Sequence, residues 1–287
     1  IFGSSKYNSE AALESCRVLS EVGYEVMVIE SDLEYIREPV GFPSDIANCI
    51  PAILTSMHLG LDSIAFGTVL ESAYGVGHQK YINYPKGAHF RFFGTLLGSV
   101  GLEMSLPIAG VSEVGTAIIN NHSNMGHLSQ SCIRGPPGNP CDYCWKCFRK
   151  ELLNIALDPS SEKSIHPIML SSEVQKKLSS FPISHENVVA FSIQNIDMKG
   201  HKYLSHLSNR VKMGEDLGFL RSWYEPSIEV VPKKYRDVVT RNILQYLKPM
   251  NISQEKIVED WDMTEFLQNT QTKTAHSKLI SSWQDLS

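Results

Sequence analysis

The sequence of 287 residues has no stretch approaching the about 20 consecutive apolar residues of a membrane-spanning helix, so insertion into a bilayer is not expected. Positive charge is not in surplus. Lys and Arg number 26 against 31 Asp and Glu, and the net charge of -5 with a pI near 6.1 argues against bulk attraction to nucleic acid. No internal repeat is evident and no apolar targeting run is visible, which points to a cytoplasmic protein. The histidines give little: His58 lies in an apolar helical pattern and reads as structural, and His78, His89, His122 and His127 fall in loop-like text from which one could line a pocket, but none is singled out as catalytic. What the chain does have is 42 % hydrophobic residues, enough for one large core or two smaller ones.

Cysteine is sparse but concentrated. Of six cysteines, four lie within sixteen residues, Cys132, Cys141, Cys144 and Cys147, in the spacing C-x8-C-x2-C-x2-C. A Gly-Pro-Pro-Gly-Asn-Pro loop, residues 135–140, returns the chain between the first and second. Cysteines two residues apart on a turn can put both sulfurs on one ion, and four thiolates complete a tetrahedral zinc shell with no open position for a catalytic water. One structural Zn²⁺ per chain is the expectation. Two disulfides, an iron–sulfur cluster and redox thiols are the competing uses; the first would need an oxidising compartment. Cys16 and Cys49 sit in apolar helical patterns and read as ordinary buried thiols.

Along the first half, helix-like and strand-like text alternates. Asn8 to Val22 has apolar positions at spacings of three and four, closed by Gly23, and Tyr24 to Glu30 reads as a short core strand ending at Ser31-Asp32. Ile46 to Leu59 then reads as helix and Ser63 to Thr68 as strand, followed by Phe92 to Val100 as helix and Gly101 to Pro107 as a short strand. Such alternation predicts a parallel sheet covered by helices on both faces. Ligands in that architecture bind beyond the carboxyl ends of the strands, which points to Ser31, Asp32, Gly67, Thr68, Glu71 and the segment Pro107 to Glu113. Phe148 to Ala156 continues as helix, and residues 158–164 form a boundary loop. Beyond it the text is mostly helical, with helices expected over 172–178, 203–210, 235–247 and 253–259 and a loose polar tail from about Asn269.

The cysteine cluster with its Arg-bearing helix, Cys141-Asp142-Tyr143-Cys144-Trp145-Lys146-Cys147-Phe148-Arg149, resembles the zinc motif of the 7-cyano-7-deazaguanine synthases of the ATP pyrophosphatase (PP-loop) superfamily. The resemblance covers residues 1–157, with the zinc motif at 132–147, and says nothing of residues 165–287. It implies an α/β, Rossmann-like (adenine nucleotide alpha hydrolase-like) parallel sheet with a four-cysteine zinc site, followed by a mostly helical C-terminal region. It also implies an ATP-dependent ligase that adenylates a carboxyl or carbonyl substrate and releases pyrophosphate, with ATP and Mg²⁺ as co-substrate and a small molecule or modified base as acceptor. The signature Ser-Gly-Gly-x-Asp-Ser loop is not in the sequence; Phe2-Gly3-Ser4-Ser5 corresponds to a later loop, and the first β-loop-α unit of about 30 residues is expected before Ile1. Pro43-Ser44-Asp45-Ile46 replaces the family's Arg-Asn pair, and Ser112-Glu113 stands where the family has lysine, a charge reversal that implies a different substrate.

The expected substrate- and nucleotide-binding residues are therefore Ser31, Asp32, Gly67, Thr68, Glu71, Ser72, Ser112 and Glu113. For Glu71 the chemistry is acceptance of ring or exocyclic N–H donors. The plainer roles are a polar turn for Gly67 to Ser72 and a helix N-cap for Ser112, and exposed loop acids for Asp32 and Glu34. A different class of function, a catalytically inactive zinc-stabilised scaffold binding a protein partner through residues 165–287, is compatible with the same text, as are a related tRNA or nucleobase modifier and a homodimer.

Overall fold

The computed structural model describes residues 8–36, 45–158, 160–161, 164–197, 202–211 and 216–282. Helices dominate. The first, α1 (Glu10–Glu21), is followed by α2 (Ile50–Leu59), β1 (Ser63–Ala65), α3 (Leu70–Tyr74), α4 (Ala88–Gly98), β2 (Glu103–Ser105) and α5 (Glu113–His122). Then come α6 (Trp145–Leu157), α7 (His166–Met169), α8 (Ser172–Leu178), α9 (Glu186–Gln194), α10 (Lys202–Val211), α11 (Arg236–Leu244), α12 (Ile252–Glu259), α13 (Thr264–Gln268) and α14 (Thr270–Ser282).

The Rossmann-like sheet expected from the alternating text is not what forms. Among the described residues the one sheet has two parallel strands of three residues each, with Ile64 opposite Met104. Tyr24 to Glu30 joins no strand, and its Tyr24, Met27 and Val28 side chains are more than half exposed. A strand is stabilised by its neighbours' ladder and by cross-strand packing, and an apolar run of six or seven residues has no preference of its own strong enough to replace them. The buried volume comes instead from helix packing: one apolar cluster runs from Ile64 through Phe148, Leu152 and Leu153 of α6 and Val189 and Phe191 of α9 to Leu279 of α14. Helix α14 also corrects the expected loose tail. Its Leu279 is fully buried and His276 lies 3.2 Å from the Arg210 guanidinium, so polar composition hid a docked face. The Pro43–Ser44 and Phe2–Ser5 positions lie outside the described residues.

Helix α6 organises the functional region. Successive residues turn by about 100°, which puts Trp145, Phe148, Leu152, Leu153 and Ala156 on one face and Lys146, Cys147, Lys150, Glu151 and Asn154 on the other. The first set is buried in the core. The second faces a polar cleft.

Candidate metal centre and the adjoining polar sites

The four clustered cysteines converge. Their sulfurs all lie within 4.8 Å of one another, with Cys144 to Cys147 at 3.5 Å and Cys141 to Cys147 at 3.7 Å. A tetrahedron of thiolates at the usual zinc–sulfur distance has edges of about 3.8 Å, whereas a disulfide would bring two sulfurs to about 2.05 Å. The cluster is thus a group that can hold a metal ion such as zinc, and none of the six cysteines is in a disulfide.

Local sequence explains the convergence. Cys144 is the N-cap of α6, its sulfur accepting from the Cys147 N–H at 3.5 Å, so the last two ligands are fixed by a helix start. The Cys141 N–H donates to the Cys132 sulfur at 3.3 Å, closing the loop onto its first ligand. Burial works against the Cys132 thiolate, yet N–H groups of Cys141, Arg134 and Gly135 bring its pKa down to about 6. Burial pushes the Cys147 and Cys141 thiols up. Gly135 permits the return of the chain, since a Cβ there would meet the Asn139 carbonyl at 2.1 Å. Gln130, which the sequence reading did not single out, braces the same loop: its amide nitrogen reaches the carbonyls of Cys132, Gly135 and Pro136 at 3.0 to 3.1 Å, and its oxygen accepts from the Gly138 N–H.

The helical region supports the knuckle from outside. Glu173 of α8 pairs with Arg134 at 2.6 Å and accepts from the Trp145 N–H at 3.2 Å, and the Ser171 hydroxyl donates to the Tyr143 carbonyl at 2.6 Å. Burial opposes ionisation of Glu173, but Arg134 and the Trp145 N–H hold its pKa below the usual carboxylate value.

A second polar group lies at the carboxyl ends of the two strands. Glu71 and Glu113, in the first turns of α3 and α5, are brought together: the Glu113 N–H donates to both Glu71 carboxylate oxygens at 3.1 and 3.2 Å. Ser112 is buried as the N-cap of α5, accepting from the Gly115 N–H and donating to the Leu220 carbonyl. Glu71 is fully buried, sealed by α9, whose Asn187 amide donates to it at 3.0 Å. Gly77 makes room for that amide: at φ +84° it has no Cβ, and one would fall 1.8 Å from the Asn187 side-chain oxygen. Arg149 of α6 pairs with Glu113, and His185 Nδ1 lies 3.2 Å from the same carboxylate without hydrogen-bond geometry.

Charge in this cluster is asymmetric. Burial, then the neighbouring Glu113, raise the Glu71 pKa to about 7. Burial also acts to raise Glu113, but Arg149, His185 and Lys150 outweigh it and hold the group below its ordinary value. Burial and Arg149 lower His185 to about 4, so its imidazole is neutral near pH 7. One ionised carboxyl group beside one that holds its proton to about pH 7 is what two adjacent acids with a single guanidinium should give.

The other expected site residues are placed differently. Gly67 and Ser72 are exposed and Thr68 half-buried on the outer side of the β1–α3 connection. Ser31 and Asp32 open a short 3-10 turn, with Ser31 Oγ accepting from the Leu33 N–H, and among the described residues no hydrogen bond or ion pair joins them to Glu71 or Glu113. The sequence places Arg149 only in the motif that follows the cysteines, and it does not single out His185 or Asn187. Their one sequence signal is the polar triplet His185-Glu186-Asn187 heading the apolar run Val188 to Phe191, a pattern that buries polar groups under a core helix.

The accessible polar surface lies on the other side of α6. A cleft of about 330 Å³ runs between α5 and α6 beside the knuckle, lined among others by Asn121, Gln130, Lys146, Lys150 and Asn154.

Fold and site together define a mostly helical protein built around a four-cysteine knuckle that can hold a metal ion, with no described helix long and apolar enough to cross a membrane. The chain belongs to the family of unknown function DUF6395, which matches residues 92–262 and so takes in β2, the knuckle and most of the helical region. No curated protein and no solved structure matches the chain.

Proposed function

We propose that the chain is an ATP-dependent ligase forming a carbon–nitrogen bond, and that the knuckle holds one structural zinc ion. In this reading a substrate carboxylate oxygen attacks the α-phosphorus of Mg²⁺-bound ATP, pyrophosphate leaves, and ammonia or an amine then displaces AMP from the acyl adenylate. The observation that carries the reading is the continuity of the knuckle with α6, the helix that meets both the strand-end acid Glu113 and the open cleft. The C-x8-C-x2-C-x2-C spacing and the Arg-bearing helix resemble those of the 7-cyano-7-deazaguanine synthases. Four thiolates close the shell of a zinc ion, so the metal would clamp the cleft wall and take no part in bond making. Free thiols in the cluster suit a reducing, cytoplasmic compartment.

A second reading, a zinc-stabilised scaffold with no catalysis, is favoured by one observation: Asn187 fills the donor position at Glu71, leaving that carboxylate closed to a substrate. Titration of the full-length, metal-loaded protein with MgATP, followed by a pyrophosphate-release assay across carboxylate acceptors, separates the two. ATP binding with acceptor-dependent pyrophosphate release is expected for the ligase; absence of ATP binding refutes it in favour of the scaffold.

A further inference from the structure

The cleft between α5 and α6 has a cation at its back that forms no ion pair among the described residues. Lys150 is half-buried, and burial lowers its pKa, which marks an ammonium withdrawn from water. Among the described residues it makes no ion pair. Its field reaches Glu113, but that carboxylate is engaged by Arg149 and approached by His185. One turn earlier, Lys146 is exposed at the mouth of the same cleft, so the two ammonium groups stand in line along one face of α6. Amides of Asn121 and Asn154 complete walls rich in hydrogen-bonding groups. Asp142 and Glu151 also line the cleft, so it is not a diffuse basic patch; the positive charge is local to the lysine stripe. A volume of about 330 Å³ lies at the small end of the range for small-molecule sites.

We propose that this cleft binds a small molecule through its oxyanion, a carboxylate or a phosphate, with Lys150 as the principal counter-charge and Lys146 guiding entry. The ligand supplies the partner that a desolvated ammonium lacks, and ammonium groups act as point charges that accept either oxyanion. The inference deepens the ligase reading, which requires a carboxylate and a nucleotide to be held, and it rests on that reading only for which oxyanion is bound.

The test is calorimetric titration of the metal-loaded full chain with three probes: inorganic pyrophosphate, magnesium-free ATP, and benzoate as a plain aromatic carboxylate. Each is repeated with Lys150→Met and Lys150→Arg, and with Lys150→Gln should the methionine variant fold poorly. At least one probe is expected to bind the wild type. Removing the charge should weaken it by about tenfold or more, while arginine keeps most of the affinity and metal content is unchanged. Pyrophosphate or ATP binding identifies a phosphate site, and benzoate binding a carboxylate site. Failure of all three probes, or binding indifferent to loss of the Lys150 charge, overturns the proposal. Lys150-dependent binding without ATP-driven pyrophosphate release refutes the ligase reading alone, whereas turnover indifferent to Lys150→Met refutes the cleft assignment alone.

Discussion

Substituting Glu71 by glutamine isolates the buried acid pair from everything else that titrates. Glu71 is fully buried, receives the Glu113 N–H and the Asn187 amide, and has a pKa raised to about 7 by burial and by Glu113, against an ordinary value of 4.5. Between those two values the folded protein binds more proton at this site than the unfolded chain. Stability from the neutral group is therefore fully present below about pH 4.5, falls as pH rises, and is lost by the time pH passes about 7. At about 1.4 kcal/mol per pH unit the whole window is worth about 3 kcal/mol. Glutamine has the shape of the neutral acid and does not ionise, so Glu71→Gln removes this dependence while leaving the metal ligands untouched. The assay is urea unfolding of both proteins, saturated with metal, at about pH 5.5 and about pH 8, where the variant should gain about 2 kcal/mol relative to wild type on going from the lower to the higher pH. Because the comparison is a difference, proton release linked to the cysteines cancels. Parallel stability profiles would show that Glu71 is ionised throughout and that the asymmetric charge assignment is wrong.

Three further outcomes follow from the same contacts. Arg149→Met leaves Glu113 buried without its guanidinium and should cost about 3–5 kcal/mol in chemical denaturation, with much of the loss recovered in the Arg149→Met, Glu113→Gln double variant. Cys147→Ser, or a strong chelator acting on the wild type, should reduce bound metal from one ion per chain to near none and lower the melting temperature; metal analysis of the pure protein read together with a thermal scan checks both. Glu173→Ala removes the carboxylate that ties Arg134 to the Trp145 N–H and should weaken metal retention by about tenfold in a competitive chelator titration without removing any ligand.

The knuckle was legible in the sequence because its information is local. Three ligands fall within seven residues, Cys141 to Cys147, on a turn and the first turn of a helix, and the fourth is returned by a loop whose glycines and prolines are visible in the text. Helices with clear periodicity, such as those that became α1, α6, α8, α10 and α12, were legible for the same reason. The sheet was not, because strand pairing is non-local: Ser63 to Thr68 and Tyr24 to Glu30 look alike as text, yet only part of the first meets a partner, Glu103–Ser105, while the second meets none among the described residues. The closure of Glu71 was invisible for a related reason. Asn187 is 116 positions away, and nothing near Glu71 announces that its donor will come from α9.

These contacts make α6 a single lever between three polar sites. Its first turn carries Cys144 and Cys147, the next residues carry Arg149 toward Glu113 and Lys150 toward the cleft, and the opposite face is fixed in the core by Phe148 and Leu152. A helix moves as a unit, so release of the metal cannot disturb the first turn without shifting Arg149 and Lys150, which follow Cys147 by about 3 and 4.5 Å along the axis. The core face resists large excursions, so small rotations are the motion available. A buried ion pair tolerates these poorly, because its Coulomb energy has to offset the desolvation of both charges. The consequence is specific: chelation should unpair Glu113 from Arg149 while the secondary structure persists. The cost of Arg149→Met in chemical denaturation should then shrink in the metal-free protein while its far-UV circular dichroism stays that of the metal-loaded form; an undiminished cost would refute the coupling.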